Sequence, residues 1–87
     1  MTHIYRIYTQ RQPEDALLRL ISEHVNGATL FYGKGLWRGE VEDSVTIEIL
    51  GGFALADTGY RLAHAIRETF AQTAVLVSVQ ATTTYEV

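Results

Sequence analysis

Residues able to do chemistry crowd into one stretch of the chain, GKGLWRGEVED at positions 33–43. Lys34 and Arg38 supply two cations, and Gly33, Gly35 and Gly39 stand around them. Backbone N–H groups of such glycines, aided by the cations, can hold a small anion. The candidate ligand-binding set is Lys34, Gly35, Arg38 and Gly39. The pattern is not a P-loop, because no G-x-x-x-x-G-K-[ST] occurs and no helix follows directly. The competing reading is a twisted hairpin whose glycines permit a positive φ or a bulge. Trp37, the only tryptophan, can stack a ligand or fill a contact between chains. The second is the expectation, since tryptophan is enriched at interfaces. Glu40, Glu42 and Asp43 lack calcium-loop spacing and read as a solvated hairpin tip.

Elsewhere the chemistry thins out. Cysteine is absent, which removes disulfides, thiolate catalysis and soft-metal sites together. His3, His24 and His64 are scattered, so no metal site is expected. Ser22, Ser44 and Ser78 lie in helix or strand contexts without a nucleophile-elbow motif. No catalytic residue is assigned and no cofactor is expected. An alternative remains: a small enzyme of the dimeric α+β-barrel type, monooxygenase- or isomerase-like, with Tyr5, His24, Tyr60 or His64 as acid or base.

The elements that would position these residues follow from periodicity. HIYRIYT alternates Ile4, Arg6 and Tyr8 against Tyr5, Ile7 and Thr9, a strand apolar on both faces. Pro13 suits a first helical position, and Glu14 and Asp15 suit the positive end of the helix dipole. Leu17, Leu20, Ile21 and His24 then share a helical face flanked by Leu18 and Val25, with Asn26-Gly27 as the left-handed stop. ATLFY and SVTIEIL read as strands, with Val45, Ile47 and Ile49 inward and Thr46 and Glu48 outward. The 33–43 segment joins them, as a hairpin connection or as the distorted ends of both strands. Gly51 and Gly52 end the third strand. Asp57 can cap a second helix, TGYRLAHAIRETFAQ, and AVLVSVQA is a fourth strand. TTTYEV, residues 82–87, reads as a short fifth strand or an arm.

The order β-α-β-β-α-β predicts one α+β, ferredoxin-like domain over residues 1–87. Right-handed crossovers give an antiparallel sheet of order 4-1-3-2 with both helices on one face. Arg6 and Glu48 then stand on adjacent strands, and a structural ion pair between them is expected; the other reading gives Arg6 an anionic ligand. The uncovered sheet face carries Ile4, Tyr8 and Leu76, which with Trp37 make the expected interface of a homo-oligomer, a trimer before a dimer. An 87-residue chain buries only about 60–65% of its unfolded surface, so association would add needed burial.

The hairpin FYGKGLWRGEVEDSVTIEIL resembles the second and third strands of the P-II/CutA-like superfamily. Trp37, Arg38 and Gly39 open the turn, and acidic Glu42 leads into the next strand. The resemblance implies a trimeric ferredoxin-like protein. It lacks the long signalling loop of P-II proteins and any counterpart of their nucleotide-binding loop.

Composition sets outer bounds. The formal charge of −3 argues against a broad nucleic-acid footprint. No apolar run approaches the ~18 residues of a membrane span, and the N-terminus has no signal-peptide pattern. A cytoplasmic setting is expected. The sequence points to a small non-enzymatic binding or regulatory module with sites for a small anion or a partner at clefts between subunits. A blander possibility is an adaptor that binds another protein through the hairpin.

Overall fold

The computed structural model describes residues 2–53 and 55–87. Six elements follow one another: β1 (Thr2–Gln10), α1 (Glu14–Ser22), β2 (Thr29–Trp37), β3 (Glu40–Gly51), α2 (Leu55–Thr69) and β4 (Leu76–Thr82). The strands form one antiparallel sheet in the order β2-β3-β1-β4. This is the ferredoxin-like arrangement with the order expected from the crossover rule.

Strand alternation decides which side chains meet. Tyr5 and Ile7 of β1 and Val45, Ile47 and Ile49 of β3 bury the inner face, where they pack against Leu17 and Ile21 of α1 and Leu62 and Ile66 of α2. Both helices therefore cover that face, each through residues four apart. The inner face is the whole core. The outer face carries Ile4, Tyr8, Phe31, Leu50 and Leu76, and no helix covers it. Phe31, Leu50 and Leu76 are each at least half exposed there.

Several boundaries differ from the sequence expectation, each for a local reason. Pro13 is the N-cap rather than the first helical residue, and its carbonyl accepts the first helical bond from Leu17. α1 stops at Ser22, before His24 and Val25, because N–H groups of Glu23 and His24 tighten onto Leu20 and Ile21. His24 Nδ1 lies 2.9 Å from the Leu20 carbonyl and occupies the helix end instead of its face. Gly27 is not left-handed; Arg38, Gly39 and Ala71 are the residues with positive φ among those described. Asp57 does not cap α2, which already begins at Leu55, and pairs instead with Arg61 one turn on at 3.0 Å.

Two connections each take one of the two forms the sequence allows. The β2–β3 ladder continues through Trp37↔Glu40, so 33–43 is regular hairpin with neither bulge nor distorted ends. Arg38 (φ 51°) and Gly39 (φ 82°) alone make the turn, the two-residue left-handed geometry that matches strand twist. After β4 no strand forms. Residues 83–87 are an arm, held by Thr84 Oγ1 donating to Thr2 Oγ1 at 3.0 Å.

Candidate functional site

The long hairpin creates the main concavity. β1 pairs with β3 only as far as Gln10↔Ser44, extended by one bond from Arg11 N–H to the Asp43 carbonyl at 3.0 Å. The hairpin runs on alone beyond that point. Between it and the α2–β4 connection lies a groove of about 650 Å³. Tyr8, Thr9 and Gln10 form its floor, the hairpin residues 34–38 one wall, and Gln72, Thr73 and Ala74 the other.

Lys34, Gly35 and Arg38 of the candidate ligand set line this groove, together with Trp37; Gly39 does not. The two cations are not equivalent. Lys34 donates to the Asp43 carboxylate across the ladder. That hydrogen bond, followed by the ammonium charge itself, holds the Asp43 carboxyl below its ordinary value. Arg38 forms no salt bridge among the described residues, and its Cζ lies 5.5 Å from the centre of the Trp37 ring. Glu42 also reaches the groove but accepts a hydrogen bond from Gln10 Nε2. Of the two groove cations, Arg38 is therefore the one without a carboxylate partner among the described residues.

Thr9 adds a feature that sequence reasoning missed. It is buried among the described residues, and its Oγ1 has no hydrogen-bond partner. A buried hydroxyl without a partner costs roughly 1–3 kcal/mol, and Thr9 is one of the residues that line the groove. The signal was faint: Thr9 falls at the inner-face parity of β1, where an apolar residue would be ordinary. Gln72 and Thr73 were invisible for a different reason, being some 60 positions from β1 and brought there only by the topology.

Gly33 and Gly35 sit in extended ladder opposite Ser44 and Glu42, so they form no continuous cradle of N–H groups. At the hairpin base, Tyr32 donates to Glu14 and lies under the Arg11 guanidinium, 4.7 Å from ring centre to Cζ. The bond to Glu14 is the main cause that raises the Tyr32 phenol above its ordinary value. This ties the hairpin to the start of α1.

On the outer face Arg6 stands opposite Glu48, with Nε to Oε2 at 3.1 Å, and its Nη1 donates to Gln80 Oε1 at 3.2 Å. Tyr8 and Ser78 hydroxyls meet beside them at 3.2 Å. The four acid–base candidates do not converge. Tyr5 is in the core and donates to the Gly52 carbonyl, and His24 is held by Leu20. Only Tyr60 and His64 meet, their rings edge to face at 4.5 Å. Among the described residues no three acidic or histidine side chains gather as metal ligands, and no helix is long and apolar enough to cross a membrane.

No protein-family profile and no curated protein sequence matches the chain. Solved structures do. A DUF3240 family protein from Shewanella baltica OS155 superposes with a TM-score of 0.71 at 14% identity, over 99% of this chain and 94% of that one. The fold is that of the PII-like proteins. A nitrogen regulatory PII-like protein from Thiomonas intermedia K12, bound to ADP, AMP and bicarbonate, gives 0.64 at 15% identity over 91% and 87%. A phage SAM lyase in its apo state gives 0.72 at 21% identity over 90% and 78%. The same backbone thus serves both a regulatory protein and an enzyme.

Proposed function

We propose that the chain is a small, non-enzymatic regulatory or binding module, working in the cytoplasm as a homo-oligomer with a trimer as the preferred state. Its ligand is a small anion held in the hairpin groove. Arg38 contributes the charge, Lys34 adds to the positive potential, and Thr9 donates from the floor. The observation that carries this reading is a guanidinium without a carboxylate partner on the same concavity as Thr9, whose buried hydroxyl has no hydrogen-bond partner. Charge-assisted bonds of that kind are among the stronger ones available to a surface groove. The PII-like protein bound to ADP, AMP and bicarbonate gives the classes of anion to try first.

The groove is open toward the uncovered outer face, where Tyr8, Trp37 and Leu76 border it. A neighbouring copy packed on that face would close it, which links the ligand to assembly. Thermal unfolding with adenine nucleotides, phosphate and bicarbonate tests the reading. Stabilisation by one of them, abolished in the Lys34→Ala/Arg38→Ala protein, is the expected result. The double variant should fold and assemble as the parent does, since exposed charges contribute about 0–1 kcal/mol each. The enzyme reading draws on the phage SAM lyase and on the Tyr60–His64 contact. Turnover of a nucleotide or sulfonium substrate that is lost in His64→Ala would favour it over the binding module.

A further inference from the structure

A second concavity lies on the other side of the molecule from the hairpin's free edge. The sheet order leaves one side of β4 unpaired, and α2 overhangs it. Tyr60, His64 and Arg67, spaced four and three along α2, face Thr73, Val75 and Val77 across a recess of about 200 Å³. The recess has an apolar floor and a polar rim. Arg67 makes no salt bridge among the described residues. An open strand edge beside such a recess is a template for another strand.

The arm 83–87 follows β4 and carries Tyr85, which is 86% exposed. Register places Val77, Val79 and Ala81 on the inner face with Ile7, Tyr5 and His3. By strand alternation Tyr85 keeps that parity whenever the arm is extended. It cannot fill the recess of its own chain. Three residues beyond Thr82 span at most about 11 Å, whereas Val77, the nearest recess residue on β4, lies about 17 Å back along the strand. The occupant must come from elsewhere.

We infer that β4 is an assembly edge, where β4 of a second copy of this chain pairs antiparallel and seats its Tyr85 in the recess beneath α2. A two-fold axis perpendicular to the sheet preserves each face, so paired residues must share parity and one residue must oppose its own copy. Full overlap of residues 76–82 puts Val79 at the axis. Leu76 then faces Thr82 of the second copy, and Thr73 faces its Tyr85. The phenol ring enters on the α2 side, with its hydroxyl at the rim formed by His64 and Arg67. Each copy gives and receives one ring, so the contact closes on two chains. It shares Thr73 and Ala74 with one wall of the groove but leaves the hairpin and the outer sheet face free.

The absence of cysteine in the chain makes the test direct. A Val79→Cys protein carries a single thiol, and a short bismaleimide reagent should link it to its own copy as a covalent dimer. Adding Tyr85→Ala should lower the yield of linked dimer at least tenfold, while Tyr85→Phe should retain more of it. Adding Leu50→Glu, which disrupts association through the outer face, should leave the link intact, separating this contact from the trimer proposed above. No linked dimer from Val79→Cys overturns the edge contact. A loss smaller than tenfold on adding Tyr85→Ala overturns the role of the recess.

Discussion

Arg38 holds a backbone conformation that an L-residue with a long side chain adopts at a cost of about 1 kcal/mol. Asparagine is the residue that the first position of this two-residue turn prefers. Arg38→Asn is therefore expected to raise stability by about 0.5–1 kcal/mol, or roughly 4 °C in the midpoint of a thermal melt for a chain of this size. The same change should weaken binding of the groove's anion about tenfold, read by calorimetric titration. A lower melting point would show that the contact between Arg38 and the Trp37 ring outweighs the backbone strain. The second charged pair belongs to structure. Arg6 and Glu48 are each partly exposed in the isolated chain, which limits their mutual stabilisation to about 1 kcal/mol. Covering the outer face would make the loss of either partner more costly. Alanine at both positions should cost less than the sum of the single losses in a denaturant double-mutant cycle. Additive losses would leave Arg6 available as a ligand-holding residue.

At the scale of elements, the ends of α2 show which features a sequence conceals. Gly51 lies beneath its first turn, and a Cβ added there would stand 1.9 Å from Leu55 Cδ1. Gly51→Ala should force Leu55 out of its place and destabilise the fold by about 1–3 kcal/mol, measured as a lower urea midpoint with an unchanged slope. Gly52, with open space around it, should accept alanine with a smaller effect. Both glycines read alike in the sequence, as a strand terminator. Their difference comes from a helix whose first residues were not recognised, because Asp57 offered a better cap signal than Leu55. The strands and their order were legible for the opposite reason. Val45, Ile47 and Ile49 alternate so regularly that only one register buries them all. The groove was half legible: Lys34 and Arg38 stood out as cations among glycines, whereas Thr9 and Thr73 are ordinary residues whose meaning depends on what the crossover places beside them. The left-handed Ala71 that closes α2 was equally silent, since alanine carries no expectation of positive φ.

For the whole molecule, the uncovered outer sheet face is the surface on which the proposed trimer rests. Leu50, Phe31 and Leu76 lie bare on a surface crossed by a polar strip, Arg6, Glu48, Gln80, Tyr8 and Ser78, whose members bond one another, while Gln10, Glu42, Ser44 and Thr46 continue the polar surface toward the hairpin. A strip so bonded can be covered without leaving unpaired charge, which is what a face shared between copies requires. Trp37 projects from the same face at the end of the hairpin and is 60% exposed in the single chain. If it anchors a neighbouring copy, its truncation should cost more than about 2 kcal/mol of association free energy, roughly a thirtyfold weakening by the affinity scale. Analytical ultracentrifugation should then find the parent protein as a multiple of six chains, trimers joined through the two-fold contact at their β4 edges. Trp37→Ala should dissociate to the two-chain unit that the β4 edge holds, and to single chains once Tyr85→Ala is added. The Lys34→Ala/Arg38→Ala protein should keep the parent mass, because both cations line the groove and leave the apolar face intact. A Trp37→Ala protein of unchanged mass and stability would move the tryptophan from the interface to the ligand, as a ring stacked against whatever the groove holds.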